Sequence, residues 1–166
     1  SSFGAKPKDY KCSVESLLRM ILKGTSIRHI NKIVDIYNYV SIKHIIPVGG
    51  DDADRVEGDI ILKFANGTEK FIGLGSQELK NPRSGEVIYL DDKEVLCRRW
   101  NWRECDKTKM TEDTKNVLLV IEGLPPVTKE KIEEAAKELV SLIAKFCGGE
   151  ASYYLLNKNN SEIEVI

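Results

Sequence analysis

Two histidines, two tryptophans and four cysteines are few for a chain of 166 residues, and each scarcity closes off a chemistry. The cysteines, at positions 12, 97, 105 and 147, have no CxxC spacing, and neither His29 nor His44 is placed to complete a metal site with them. They read as reduced structural thiols, and neither a metal nor a cofactor is expected. No apolar run approaches the roughly 20 residues of a membrane helix, and no charged-then-apolar N-terminus suggests a signal peptide, so a cytoplasmic protein is expected. There is no GxxxxGK(S/T) loop, no GxGxxG turn after a strand and no GxSxG elbow, which argues against a kinase, a dehydrogenase or a serine hydrolase. The chain begins Ser-Ser-Phe rather than with methionine, as a processed chain or a fragment would.

What is present is the composition of one soluble α+β domain over 1–166, with 42% hydrophobic and 31% charged residues. A formal net charge of −1 excludes attraction of the whole molecule to a polyanion, but the charge is uneven. Residues 1–46 carry eight Lys or Arg against three Asp or Glu, whereas 47–94 carry six against eleven. A basic surface near the N-terminus could contact phosphates, and an ordinary solvated face is the alternative.

Apolar residues Val14, Leu17, Leu18 and Ile21 predict an amphipathic helix, with Ser13 as its cap and Gly24 as its stop. A second helix is expected from about Asn31 to His44, ended by Pro47, Gly49 and Gly50. Strands follow at 59–65 and 69–74 around Asn66-Gly67, a hairpin signal, and at 86–90 and 94–103 around Asp91-Asp92. The run at 116–122 predicts a central strand closed by Leu124, Pro125 and Pro126. Thr128 caps a helix with Ile132, Ala135, Ala136, Leu139, Ile143 and Phe146 inward and Gly148-Gly149 at its end, and strands at 152–156 and 162–166 finish the chain. The acidic set Asp51, Asp52, Asp54, Glu57 and Asp59 lacks the pattern of a calcium loop and reads as an acidic surface loop. Helices packed on a mostly antiparallel sheet are expected.

The run Cys97–Arg103, CRRWNWR, holds both tryptophans and three arginines. As a strand it would place Arg98, Trp100 and Trp102 on one face and Cys97, Arg99, Asn101 and Arg103 on the other. Rings beside guanidinium groups suit single-stranded nucleic acid; a core strand with solvated arginines is the plainer reading. Asn31, Asp35 and Asn38 share a helix face that could hold loops or line a pocket, and Glu122 is a candidate general base if it faces that pocket.

The segments INKIVDIYNYV (30–40), Pro47 with DADRVEGDIILKFA (52–65) and TEDTKNVLLVIE (111–122) together resemble the tRNA-binding B3/B4 module of the phenylalanyl-tRNA synthetase β subunit. CRRWNWR and the first 19 residues are similar to free-standing relatives of that module. The resemblance implies an α+β unit with a β-sandwich layer covered by helices, and a link to tRNA or aminoacyl-tRNA. In the synthetase the module hydrolyses tyrosine wrongly attached to phenylalanine tRNA. Its pocket uses a threonine-asparagine pair, a histidine eleven residues later and a glutamate on a later strand. The matching positions here hold Tyr37 and Asn38, then Gly49, then Val120, with Glu122 two residues further on. The family's glycine-rich stretch corresponds to Arg98, Arg99, Trp100, Asn101, Trp102 and Arg103, a rebuilt pocket wall. The resemblance thus implies Asn38 and Glu122 as candidate catalytic groups, and Tyr37, Gly49 and 98–103 as candidate ligand or RNA contacts. Three functions follow: a stand-alone tRNA-binding or aminoacyl-tRNA-associated module, a deacylase of misacylated tRNA acting in trans, or a small-molecule binding or interaction protein.

Overall fold

The computed structural model describes residue 6 and residues 8–165. Two helices come first, α1 (Ser13–Leu22) and α2 (Lys32–His44), then β1 (Val48–Asp52) and a single 3-10 turn (Ala53–Arg55). The strands β2 (Ile61–Phe64), β3 (Phe71–Ile72), β4 (Leu79–Lys80), β5 (Val87–Leu90), β6 (Val95–Arg98), β7 (Arg103–Glu104) and β8 (Val117–Ile121) follow, and α3 (Lys129–Phe146) closes the order. The strands pair antiparallel in small sheets, β1-β8, β2-β5-β6-β7 and β3-β4, so the chain is α+β.

The two larger sheets each have an apolar side. In β1-β8 the register pairs Val48 with Ile121 and Gly50 with Leu119. Val48, Leu119 and Ile121 pack with Val40 of α2 and Ala135 and Leu139 of α3 in one core. Leu139 is 5% exposed, and its truncation to Ala is expected to cost about 2–5 kcal/mol. The second core lies under β5-β6 and holds Phe71, Ile88, Val95, Leu96 and Cys105.

Helix starts follow the sequence where a side chain can reach a free N–H. Asn31 accepts from the Val34 amide at 2.9 Å and Thr128 from the Lys131 amide at 3.3 Å. The cap expected at Ser13 is not formed: Cys12 holds that position, and the Ser13 hydroxyl is buried without a partner among the described residues. α2 stops one turn before the glycines, at Ile45 in the left-handed region (φ 55°). Gly49 and Gly50 are then free to lie in β1, where a Cβ on Gly50 would overlap the Leu118 carbonyl and come within 2.6 Å of Leu119 Cδ2. Phe146, expected inward, is 53% exposed at the end of α3.

Four other expectations are corrected. Asn66-Gly67 does not close a hairpin, because β2 pairs with β5 and β3 with β4. The Glu69 carboxylate takes the Asn66 and Gly67 amides instead, and Asn81 binds the Thr68 and Glu69 carbonyls. The loop therefore satisfies its own polar groups without a ladder. The start of the acidic segment is not a surface loop, since Asp51 and Asp52 lie buried in β1, held by Thr108 and Thr114. The strands expected at 152–156 and 162–166 do not form among the described residues, where only an Asn157–Asn160 bridge occurs; Ile166 lies outside them.

Finally, 94–103 is not one strand. β6 ends at Arg98, and the chain turns through Arg99 (φ 51°) and Trp100 (φ 71°) into β7. Successive residues of a strand point to opposite faces, yet Arg98 and Arg99 both bind Glu86 Oε1, at 2.8 and 2.5 Å. One carboxylate can hold neighbouring guanidinium groups only if the backbone leaves the extended form.

Candidate functional site

The antiparallel register aligns Tyr89, Cys97 and Glu104 across β5, β6 and β7, and residues directly opposite one another share a face. That face looks toward β1 and the end of β8. Glu122, one residue past β8, accepts from the Tyr89 hydroxyl at 2.5 Å and from Asn101 Nδ2 at 2.7 Å. Gly49 lies against Glu104, whose Oε1 would be 3.2 Å from a Cβ on that glycine. A layer of polar side chains thus separates the two sheets.

Beside this layer, between the start of α2, β1 and the segment after β7, is a cavity of about 560 Å³. Asp51, Glu104, Thr108 and Tyr37 supply its polar lining, Ile30, Val34, Leu74 and Met110 its apolar lining, and Arg28, His29 and Lys109 a basic portion. His29 is paired with Asp35 and Lys109 with Asp106, while Arg28 is in no ion pair among the described residues. Gly50 and Asp51 of β1 both line the cavity, while Val48 belongs to the helical core.

Burial dominates the electrostatics. Loss of solvent raises Asp51 above the usual carboxylate range, against the hydrogen bond from Thr108 and with help from Asp91. Glu104 is pushed up to about 8 by burial first, and then by the nearby charges of Asp51 and Glu122. Glu122 is raised by burial, opposed by its bonds from Tyr89, Asn101 and Trp100. The Tyr37 phenol is driven up by burial and by Glu104 and Asp51, so it stays protonated and can donate. The Cys97 thiol is raised by burial and by Glu104, which keeps it a thiol. No group of three or more His, Cys, Asp or Glu among the described residues has the arrangement of a metal site.

The residues singled out by sequence divide between two places. Tyr37 lines the cavity and Gly49 abuts Glu104, which lines it. Glu122 and Asn101 belong to the adjoining polar layer, and Asn38 is half-buried outside the cavity lining. Arg98 and Arg99 are buried on Glu86, with Arg99 stacked 3.7 Å from the Tyr10 ring centre and Arg98 5.4 Å from that of Phe71. Trp102 meets Tyr10 edge to face, Trp100 is half-buried with a bond to Glu122, and Arg103 reaches the Leu74 carbonyl. The expected split into an aromatic and a cationic face is therefore replaced by a packed turn. Sequence reasoning missed Glu104, Asp51 and Thr108 as cavity groups. Nothing in the local pattern marks Glu104, which ends a two-residue strand and is followed by Cys105, a residue of the same cavity lining.

The B3/4 domain family matches residues 1–148. The phenylalanine–tRNA ligase β subunit of Fusobacterium nucleatum is 27% identical over 124 residues, which cover 74% of this chain and 15% of that protein. That of Thermotoga maritima is 30% identical over 119 residues, 71% of this chain and 14% of that protein. The chain thus spans a small fraction of the length of these relatives. A crystal structure of an N-terminal fragment of the phenylalanyl-tRNA synthetase β subunit from Pyrococcus horikoshii matches with a TM-score of 0.56 at 21% identity. That match covers 68% of this chain and 39% of the fragment, and supports the fold. No helix among the described residues is long and apolar enough to cross a membrane. With a family match over most of its length and a shared fold, this chain belongs to the B3/4 domain family and is related to the phenylalanyl-tRNA synthetase β subunit.

Proposed function

We propose that the protein is an aminoacyl-tRNA-associated module whose cavity receives the aminoacyl end of a tRNA. The observation that carries this reading is the cavity itself, polar at Asp51, Glu104 and Tyr37, apolar at Val34 and Met110, and bordered by Arg28, a cation in no ion pair among the described residues. An aminoacyl ester offers an amine, a side chain and nearby phosphates, and the lining has a counterpart for each. Lys8, Lys11, Lys23 and Lys32 are also exposed and in no ion pair among the described residues, so the basic N-terminal third has cations available for phosphate. Arg98 and Arg99 do not contribute to this reading, because both are consumed by Glu86.

Gel-shift titrations with a total tRNA pool across a salt series test it. Binding should weaken steeply as salt rises, and Arg28→Ala with Lys32→Ala should reduce both affinity and slope. Absence of tRNA binding at low salt would sink the reading.

A second reading, hydrolysis of the bound ester, is favoured by one observation. Glu104, held near 8 in the cavity, has the proton affinity that suits transfer near neutral pH. A panel of mischarged tRNAs should then be deacylated, and Glu104→Gln should abolish turnover while tRNA binding persists.

A further inference from the structure

We propose that Asp51 and Glu104 form a receptor for a primary ammonium group, so that the cavity takes ligands whose amine is free and refuses those whose amine is acylated. This rests on the aminoacyl reading above and names the part of the ligand that is read.

Asp51 is 9% exposed and lines the cavity. Its Oδ1 accepts from the Thr108 hydroxyl, while Oδ2 has no hydrogen-bond or ion-pair partner among the described residues. Glu104 enters the same cavity from β7, directly across from Cys97 of β6. Neither carboxyl has a Lys, Arg or His partner among the described residues. The contrast with Glu86 is internal to the molecule: that buried carboxylate meets two guanidinium groups, whereas the cavity pair meets none.

Two neighbouring carboxyls withdrawn from water and left without a cation are unfavourable when ionised, and burial accordingly raises both toward the protonated form. A cation entering the cavity reverses that penalty. The lining selects an organic ammonium. Val34, Ile30, Leu74 and Met110 offer an apolar surface for an attached side chain, and about 560 Å³ is far more room than a single ion requires. Arg28 is also in the lining and supplies a cation for the carboxyl-derived or phosphate end of a ligand whose amine meets Asp51 and Glu104. An acylated amine brings no charge and leaves the buried carboxyl oxygens unpaired, the situation in which a polar site discriminates most strongly.

Calorimetric titration of the full chain with L-phenylalaninamide and with N-acetyl-L-phenylalaninamide tests this. The amide should bind at least about tenfold more tightly than its acetylated form. Glu104→Gln and Asp51→Asn should each bring the two affinities together. Because Asp51 also holds Thr108, its variant is informative only if folded; Glu104→Gln and the comparison on the unaltered chain stand without it. Equal binding of both probes, or no binding of the amide, overturns the inference. A tRNA that binds equally well with a free or an N-acetylated aminoacyl group overturns it too and leaves the tRNA reading intact. Selective amine binding without tRNA binding supports the receptor and removes the tRNA reading.

Discussion

Glu104 lies against the backbone of Gly49, close enough that a Cβ built on the glycine would stand 3.2 Å from Glu104 Oε1. The resemblance implies that Gly49 stands where the synthetase module has its pocket histidine, and a carboxyl from β7 borders the space that a side chain there would enter. Large groups at both positions compete for it. Gly49→His is expected to destabilise the protein by about 1–3 kcal/mol, as overpacking does, and Glu104→Ala in the same chain should recover most of that loss. Urea unfolding of the two single variants and the double variant measures the coupling. Additive effects would mean that the two positions do not share the space.

The raised carboxyls give stability a definite pH dependence. Burial pushes Glu104 up to about 8 in the folded chain, against 4.5 for a free glutamate. Between those values the folded state holds a proton that the unfolded chain releases, so its contribution is complete below the lower value and lost as pH climbs through the upper. Asp51 and Glu122 are shifted in the same direction, while Glu69 and Asp91, lowered, act in the acidic range. Melting temperature should therefore fall from pH 5.5 to 8.5, by roughly 2–4 °C for each kcal/mol lost. Glu104→Gln should flatten that fall, and a variant with the unchanged slope would remove Glu104 as its source.

How far the fold can be read from the sequence depends on whether local pattern and tertiary pairing agree. α2 and α3 are legible because Asn31 and Thr128 cap them locally and their apolar stripes bury against β1-β8. The strands flanking Asn66 and Gly67 are located nearly correctly but given the wrong partners, since the Glu69 and Asn81 contacts that close the loop draw on residues beyond the turn dipeptide. In CRRWNWR the residue types signal an unusual place, but its shape is set by Glu86, twelve residues before Arg98. The site was legible in part: Tyr37 and Gly49 mark it through the family pattern. Asp51 and Glu104 do not, because one stands in an acidic run and the other in a two-residue strand, and only the approach of the Glu104 side chain to β1 at Gly49 brings them into one cavity.

Glu86 should prove among the most sensitive residues for stability. It is 3% exposed and holds Arg98 through two hydrogen bonds, of 3.0 and 2.8 Å, and Arg99 through a third of 2.5 Å. Removing its charge leaves two guanidinium groups, at 8% and 7% exposure, without their counter-ion. The strained turn at Arg99 and Trp100 also loses the contact that fixes it. Glu86→Gln is expected to cost about 3–5 kcal/mol in urea unfolding. A cost below 1 kcal/mol, on the order of an exposed pair, would show that water or the Tyr10 ring suffices to hold Arg99.

The segment after α3 should be dispensable for stability. It lies beyond the family match, which ends at residue 148, and Tyr153, Tyr154, Leu156 and Val165 are each at least 40% exposed. Its described hydrogen bonds are internal, from Asn157, Asn159 and Asn160 to one another and to the Leu155 carbonyl. Removing such a segment exposes little apolar area of the two cores, so almost none of their burial energy is lost. A chain ending at Gly149 should melt within about 2 °C of the 166-residue chain, the size of shift that a fraction of a kcal/mol produces. Its solubility should rise, since adjacent exposed apolar and aromatic side chains are removed. A fall of 5 °C or more on truncation would mean that the segment packs on the domain in solution, with burial of Tyr153, Tyr154 and Leu156 the first thing to look for by tyrosine fluorescence.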